Sequence, residues 1–348
     1  MVGSMVFLMG GGPLIRRLGS IRTLQWGLAI SGIGLIALLV PSWIMAAGAS
    51  ILIGLGYGPS VPAGNDVLQR YAPQRHRGLI FSIKQAGVPL GGVIAGLVLP
   101  VLVDNFGWQS SLIFSGGLVI LTLIAVQPMQ RAIDATRDPN QPIGLDTLLS
   151  LSNLARPLAT LRMAPDLARV GIAGGCLGAA QGAWLAFLVT YAVSKLTLTL
   201  AEAGLLFAVM QATGMGGRLV LGFIADRLQS GILALILVAV TSGLASFAFV
   251  LANPSWPLSV LVCVTALSGL SVTSWNGVQL SELARLAPPT QVADASAGGT
   301  VLVFVGFVLG PILFALLVGL THRYELGYLL IGFVALAALW PLARVAQR

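Results

Sequence analysis

The chain has 348 residues, of which 57% are hydrophobic and 9% charged, and its mean hydropathy is +0.94. Soluble chains carry about 25% charged residues, so water alone cannot cover this surface and a soluble domain is excluded. The net charge of +8 is scattered between apolar stretches, with no basic face interleaved with aromatics, which speaks for membrane topology and against nucleic acid.

A spanning helix needs roughly 20 apolar residues. Eleven such stretches follow one another: 1–15, 22–40, 43–66, 79–103, 110–128, 167–193, 203–225, 231–252, 256–280, 296–320 and 324–345. They are long, unbroken and lack the period-2 alternation of a barrel wall. Helices, which close every backbone hydrogen bond within the span, are therefore predicted throughout. The first stretch precedes Arg16 and Arg17, the reverse order of a signal peptide, and reads as a retained span. Between Met129 and Asp166 lies the long connection, rich in arginine and carrying Pro139, Asn140, Gln141 and Pro142. It divides the chain into an N-terminal helical bundle (1–128), a cytoplasmic linker (129–166) and a C-terminal six-helix bundle (167–348).

Alternate loops hold Arg16, Arg17 and Arg22; Arg70, Arg75 and Arg77; Arg131, Arg137, Arg156, Arg162 and Arg169; Arg227; Arg285; and the tail with Arg344 and Arg348. The opposite loops hold only Lys195 and Arg323, beside Asp104, Glu202 and Glu325. The positive-inside rule places the first set and the C-terminus in the cytoplasm, as expected of a multi-pass protein of a bacterial inner membrane. Trp43, Trp108, Trp256 and Trp340 stand at span ends as interface anchors. Cys176 and Cys263 lie singly in apolar runs, and His76 and His322 sit far apart in loops, so neither a metal set nor a hydrolase triad can be assembled. There is no phosphate-binding Gly-x-x-x-x-Gly-Lys-Ser/Thr loop. The sequence thus predicts neither an enzyme nor any cofactor, and transport would be secondary.

Ionisable groups within spans are costly and become candidates for function. Lys84 lies early in its span beside Gln85, just before Gly87 and Pro89; it reads either as a cation for an anionic solute or as a snorkelling lysine. Asp66 precedes Arg70 by four residues, the spacing of a structural ion pair. Gln181 with Trp184, Gln211, and Trp275 with Asn276 and Gln279 supply polar and aromatic groups within spans, for solute contact or for helix–helix hydrogen bonds.

An internal repeat runs through the chain. Gly12-Pro-Leu-Ile-Arg16-Arg17-Leu-Gly19 matches the turn Gly222-Phe-Ile-Ala-Asp226-Arg227, which Arg218 precedes. Likewise Gly87-Val-Pro89-Leu-Gly91-Gly92 echoes Gly306-Phe-Val-Leu-Gly310-Pro311. Paired Gly/Pro signatures in two halves mark transporters built from repeats. On these residues the chain resembles the major facilitator superfamily over its whole length. The resemblance implies an all-α membrane protein, a bundle of two pseudo-symmetric halves with 11 predicted transmembrane helices where 12 are expected. It implies gating roles for Gly12, Arg16, Arg17, Gly19, Arg218, Gly222, Asp226 and Arg227, and helix bends at Gly87, Pro89, Gly91, Gly92, Gly310 and Pro311. Arg16 stands where the family's turn has its acid, Val88 replaces the glycine before proline of the antiporter signature, and Ser50 precedes Gly54 where the drug antiporters carry arginine.

The second-half turn follows two spans and the first-half turn only one, so the first helix is expected to be missing. The reading is a monomeric permease for a small organic solute, coupled or not to a proton or ion, with Lys84 and Arg218 favouring an anion. Efflux of hydrophobic drugs is the alternative within transport; a non-transporting sensor, scaffold or truncated remnant is the alternative outside it.

Overall fold

Apolar side chains drive these segments out of water, and helical backbones leave no polar group to be desolvated. The computed structural model describes residues 1–71, 73, 77–144, 158–288 and 291–347, and among them there is no strand. Arg75, His76, Arg156 and Arg348, and linker residues 145–157, lie outside the described residues.

The long helices in chain order are α1 (Val2–Gly10), α2 (Gly12–Leu18), α3 (Ser20–Ala37), α4 (Trp43–Tyr57), α5 (Pro62–Tyr71), α6 (Arg77–Phe106), α7 (Trp108–Ile133), α8 (Pro165–Ser194), α9 (Leu200–Leu228), α10 (Gly231–Val250), α11 (Leu258–Val272), α12 (Asn276–Leu286), α13 (Val292–Thr321), α14 (Tyr324–Ala337) and α15 (Leu339–Ala346). Nine segments among the described residues are long and apolar enough to cross a membrane; α4–α5, α11–α12 and α14–α15 each count as one. The two further stretches expected from the sequence are α1 with α2, each too short to cross, and α3, whose first turns carry Arg22, Thr23 and Gln25.

The chain forms two compact units. Unit 1 comprises residues 1–85 and 102–156; unit 2 comprises residues 86–101 and 157–348. Helix α6 therefore contributes to both.

In unit 1, α3 packs on α4 and α7. The α2–α3 turn requires Gly19, whose φ is +92°, and a Cβ there would run into the Asp134 side chain. Asp134 is buried; its carboxylate accepts from the N–H groups of Ile21 (3.0 Å) and Arg22 (2.9 Å) and from Gln130 Nε2 (3.3 Å). An acid from the end of α7 thereby caps the start of α3, where the helix dipole favours it. The same connection is fastened to α2. Arg16 donates to Gln141 Oε1 (2.9 Å), Arg17 to the Gln141 carbonyl (3.0 Å), and the Asp138 N–H to the Arg16 carbonyl (2.9 Å).

In unit 2, α8 packs extensively on α13. Side chains at Gly306 and Gly310 would strike the backbone of Gly175 and Ala179, so these glycines permit backbone-to-backbone approach. Around the far half of α8, Trp184, Tyr191, Phe249, Phe314 and Tyr328 form a fully buried aromatic cluster. Helix α9 begins with a reciprocal cap: Thr199 Oγ1 accepts from the Glu202 N–H (3.2 Å) and Glu202 Oε2 accepts from the Thr199 N–H (2.9 Å). Helix α10 begins at Gly231, whose N–H donates to Glu282 Oε1 of α12 (3.1 Å). Glu282 also receives Arg285 (2.7 Å).

Candidate functional site

In unit 1 the site is built on α5 and α6. Two turns into α6, the half-buried Lys84 donates to Asn65 Oδ1 (2.7 Å) and to the Val61 carbonyl (3.3 Å). Gly64 leaves room for the lysine stem: a Cβ there would lie 2.8 Å from Lys84 Cε. Among the described residues no carboxylate pairs with this ammonium. One residue on from Asn65, Asp66 pairs with Arg70 and accepts from the Ser20 hydroxyl, which makes it a tie between α5 and α3. Gln85 adjoins Lys84 and is half-buried.

Beyond Gln85, α6 continues in unit 2 through Gly87, Pro89, Gly91 and Gly92 as an uninterrupted helix, with Pro89 and Pro100 inside it. Gly92 faces Gln211 of α9, whose buried amide occupies the space a side chain would fill. Gly310 and Pro311 likewise lie inside a continuous α13.

The interruption falls elsewhere. Residues 273–275 separate α11 from α12 in the middle of one span. The exposed carbonyls are met locally: Gly269 by Thr273 Oγ1 (3.0 Å), Leu270 by Ser274 Oγ (2.6 Å), Val272 by Trp275 Nε1 (2.9 Å). Arg218 Nε of α9 reaches the Thr273 carbonyl (3.4 Å). The guanidinium thus serves the broken helix and not Asp226, which is exposed and forms no ion pair among the described residues. Arg227 lies over the Phe223 ring, 5.2 Å from its centroid, and Gly222 has open space about it.

Of the polar groups singled out by sequence, three hold buried atoms without a partner among the described residues: Gln181 Oε1, Asn276 Oδ1 and Gln279 Nε2. The Gln279 amide lies against Gly174 of α8. Gln181 is seven residues further along the same helix and on the same face, about 10 Å away along the axis. Orphaned donors and acceptors cost free energy unless something bonds them. Trp184 and Trp275 stand differently. Trp184 is wholly buried, donates to Ser246 Oγ (3.0 Å) and packs edge-on to Phe249 at 4.6 Å and Tyr328 at 5.1 Å. Trp275 is also wholly buried, in the cluster that surrounds Leu177 and Val278. Neither ring presents a free face.

Sequence reasoning missed Asn65, Asp134 and the 273–275 break. The Asn276-Gly277 pair, a turn signal after Thr273 and Ser274, could have located the break; nothing in the linear pattern points to Asn65 or Asp134.

A model of the Major Facilitator Superfamily matches residues 1–283. An uncharacterised MFS-type transporter of Mycobacterium tuberculosis is 25% identical over 99% of this chain and 74% of its own. The 4-hydroxybenzoate transporter of Pseudomonas putida is 22% identical over 93% of this chain and 77% of its own. Among solved structures, the human organic anion transporter superposes with a TM-score of 0.67 at 14% identity, covering 98% of this chain and 82% of the other. These proteins are transporters, not enzymes, and the helical architecture agrees with theirs. The chain belongs to the Major Facilitator Superfamily: it is a multi-pass membrane protein of a family that carries small-molecule solutes.

Proposed function

We propose that this chain is a permease for a small organic anion of the aromatic-carboxylate class, working by alternating access between an N-terminal bundle (1–128) and a C-terminal bundle (167–348), with the 129–166 connection and the C-terminus in the cytoplasm of a bacterial inner membrane. The observation that carries the anionic assignment is Lys84: an ammonium two turns into α6, held by the neutral Asn65 and Val61 acceptors and by no carboxylate among the described residues. Neutral partners orient the charge without neutralising it, which leaves it able to attract a carboxylate. Gln85 in unit 1, and Gln181, Gln211, Asn276 and Gln279 in unit 2, would offer hydrogen bonds to solute, while Trp184 and Trp275 stiffen the helices that carry the unit 2 amides. Gly12, Arg16, Arg17, Gly19, Arg218, Gly222, Asp226 and Arg227 would govern opening. The names of the 4-hydroxybenzoate and organic anion transporters agree with this class.

The test is uptake of radiolabelled 4-hydroxybenzoate into proteoliposomes, compared with the neutral 4-hydroxybenzyl alcohol. Lys84→Ala should lower anion uptake at least tenfold and barely alter uptake of the alcohol, and Lys84→Arg should restore part of it. Equal losses for both solutes, or no anion uptake by the parent protein, would refute the assignment.

A further inference from the structure

Unit 2 has a lateral cleft of about 500 Å³ between α9, α10 and α11, with Gly217, Val220, Ile224, Thr241, Ala248 and Leu267 among its walls. The hydroxyls in its lining, Thr241 and Ser271, already donate to carbonyls of their own helices, so the wall offers a guest no free hydroxyl donor. The lining runs from Gly217 to Ile224 on α9 and from Leu237 to Ala248 on α10, about 10 and 16 Å at the rise of a helix. That is about a third to a half of a 30 Å hydrocarbon core, within the depth of one leaflet.

The end of the cleft carries a charge. Arg227 lies one turn beyond Ile224 on the face of α9 that bears Val220, at the last turn of the span, and its guanidinium rests over the exposed Phe223 ring. Among the described residues the Arg227 guanidinium has neither an ion pair nor a hydrogen bond. Guanidinium recognises phosphate oxygens in a fork, and at headgroup level a cation attracts anionic lipid.

We propose that this cleft is a binding site for one anionic phospholipid: an acyl chain lies between α9, α10 and α11, and the headgroup phosphate meets Arg227. The charge matches, the depth matches, and the walls are apolar where the chain would lie. The inference depends only on the chain being a membrane protein and stands whatever solute it carries.

The test uses the purified full chain, delipidated in detergent and titrated with palmitoyl-oleoyl phosphatidylglycerol, with bound lipid counted from the mass of the intact complex. One lipid per chain should bind more tightly than the rest. Thr241→Trp and Ala248→Trp, which fill the cleft, should weaken that event at least tenfold. Arg227→Gln should weaken it about fivefold, the effect of one cation near a lipid headgroup. Ile120→Trp, on an exposed face of α7, should leave it unchanged. Should either cleft variant elute as aggregate, the other carries the comparison, since both positions are half-exposed and on different turns. Glycerol phosphate, a headgroup without chains, should not compete. The proposal fails if no lipid binds preferentially, if the filled cleft binds as well as the open one, if glycerol phosphate competes as a free anion would, or if neutral diacylglycerol binds as tightly and Arg227→Gln is without effect.

Discussion

Replacing Asp134 tests whether one buried carboxylate fastens the start of α3 to the end of α7. Its oxygens accept the Ile21 and Arg22 N–H groups at 3.0 and 2.9 Å, two of the donors an α-helix leaves unpaired at its start. Hydrogen bonds to a charged group are each worth about 1.5–3 kcal/mol, so Asp134→Ala should cost about 3–5 kcal/mol once partial hydration of the freed donors is allowed for. Asp134→Asn keeps one acceptor oxygen but turns an amide donor towards two N–H groups, and should cost about 2 kcal/mol. At about 2–4 °C per kcal/mol, thermal unfolding of the purified protein in detergent, followed by circular dichroism, should shift down by at least ~6 °C for Ala and by roughly half as much for Asn. Trypsin cleavage at Arg16 and Arg17 should accelerate in the same order, because their Gln141 contacts belong to the same connection. A shift within about 2 °C of the parent for Asp134→Ala would mean that α3 is held by packing and that the cap is incidental.

Further outcomes follow from the same geometry. Gly19→Ala should destabilise unit 1, because its φ of +92° and the adjacent Asp134 side chain leave no place for a Cβ; an unchanged melting temperature would contradict this. Glu282→Ala should cost about 2–3 kcal/mol by stranding the Gly231 N–H and a buried cap, whereas Arg285→Ala, on the partner that is 61% exposed, should cost under about 1 kcal/mol; equal unfolding shifts would refute the asymmetry. Trp184→Phe should lose only the hydrogen bond to Ser246, about 1 kcal/mol, and leave the KM for the transported anion unchanged. A KM raised tenfold at unchanged stability would put the indole against the solute. Gly310→Leu should abolish the monodisperse folded fraction on size-exclusion chromatography, since its side chain meets the Ala179 backbone; parent-like elution would show that α8 and α13 can separate.

Much of the helical architecture was legible because hydropathy alone decides it: segments as apolar as Gly231–Val250 or Trp108–Ile133 can only be spans. Its paired Gly/Pro signatures carried the family. The fine structure was hidden where polar groups satisfy one another across long separations in sequence. Asp134 serves Ile21 more than a hundred residues away, and nothing local to Asp134 announces that. Pro89 and Pro311 lie inside continuous helices, and a break within one span falls at Thr273–Trp275, where no proline stands. Among the polar residues, amide-in-membrane reasoning singled out Gln181, Asn276 and Gln279, each with a buried atom that has no partner among the described residues. It did not distinguish them from Trp184 and Trp275, because a buried aromatic and a solute-facing one have the same sequence pattern.

The break between α11 and α12 turns one spanning rod into two levers. Eleven residues of α12 reach about 16 Å, so a 15° rotation about residues 273–275 would sweep its far end through about 4 Å. Glu282, about 9 Å along α12, would move about 2 Å, and it holds the first N–H of α10. A rotation about the break would therefore move the carboxylate that holds the first N–H of α10.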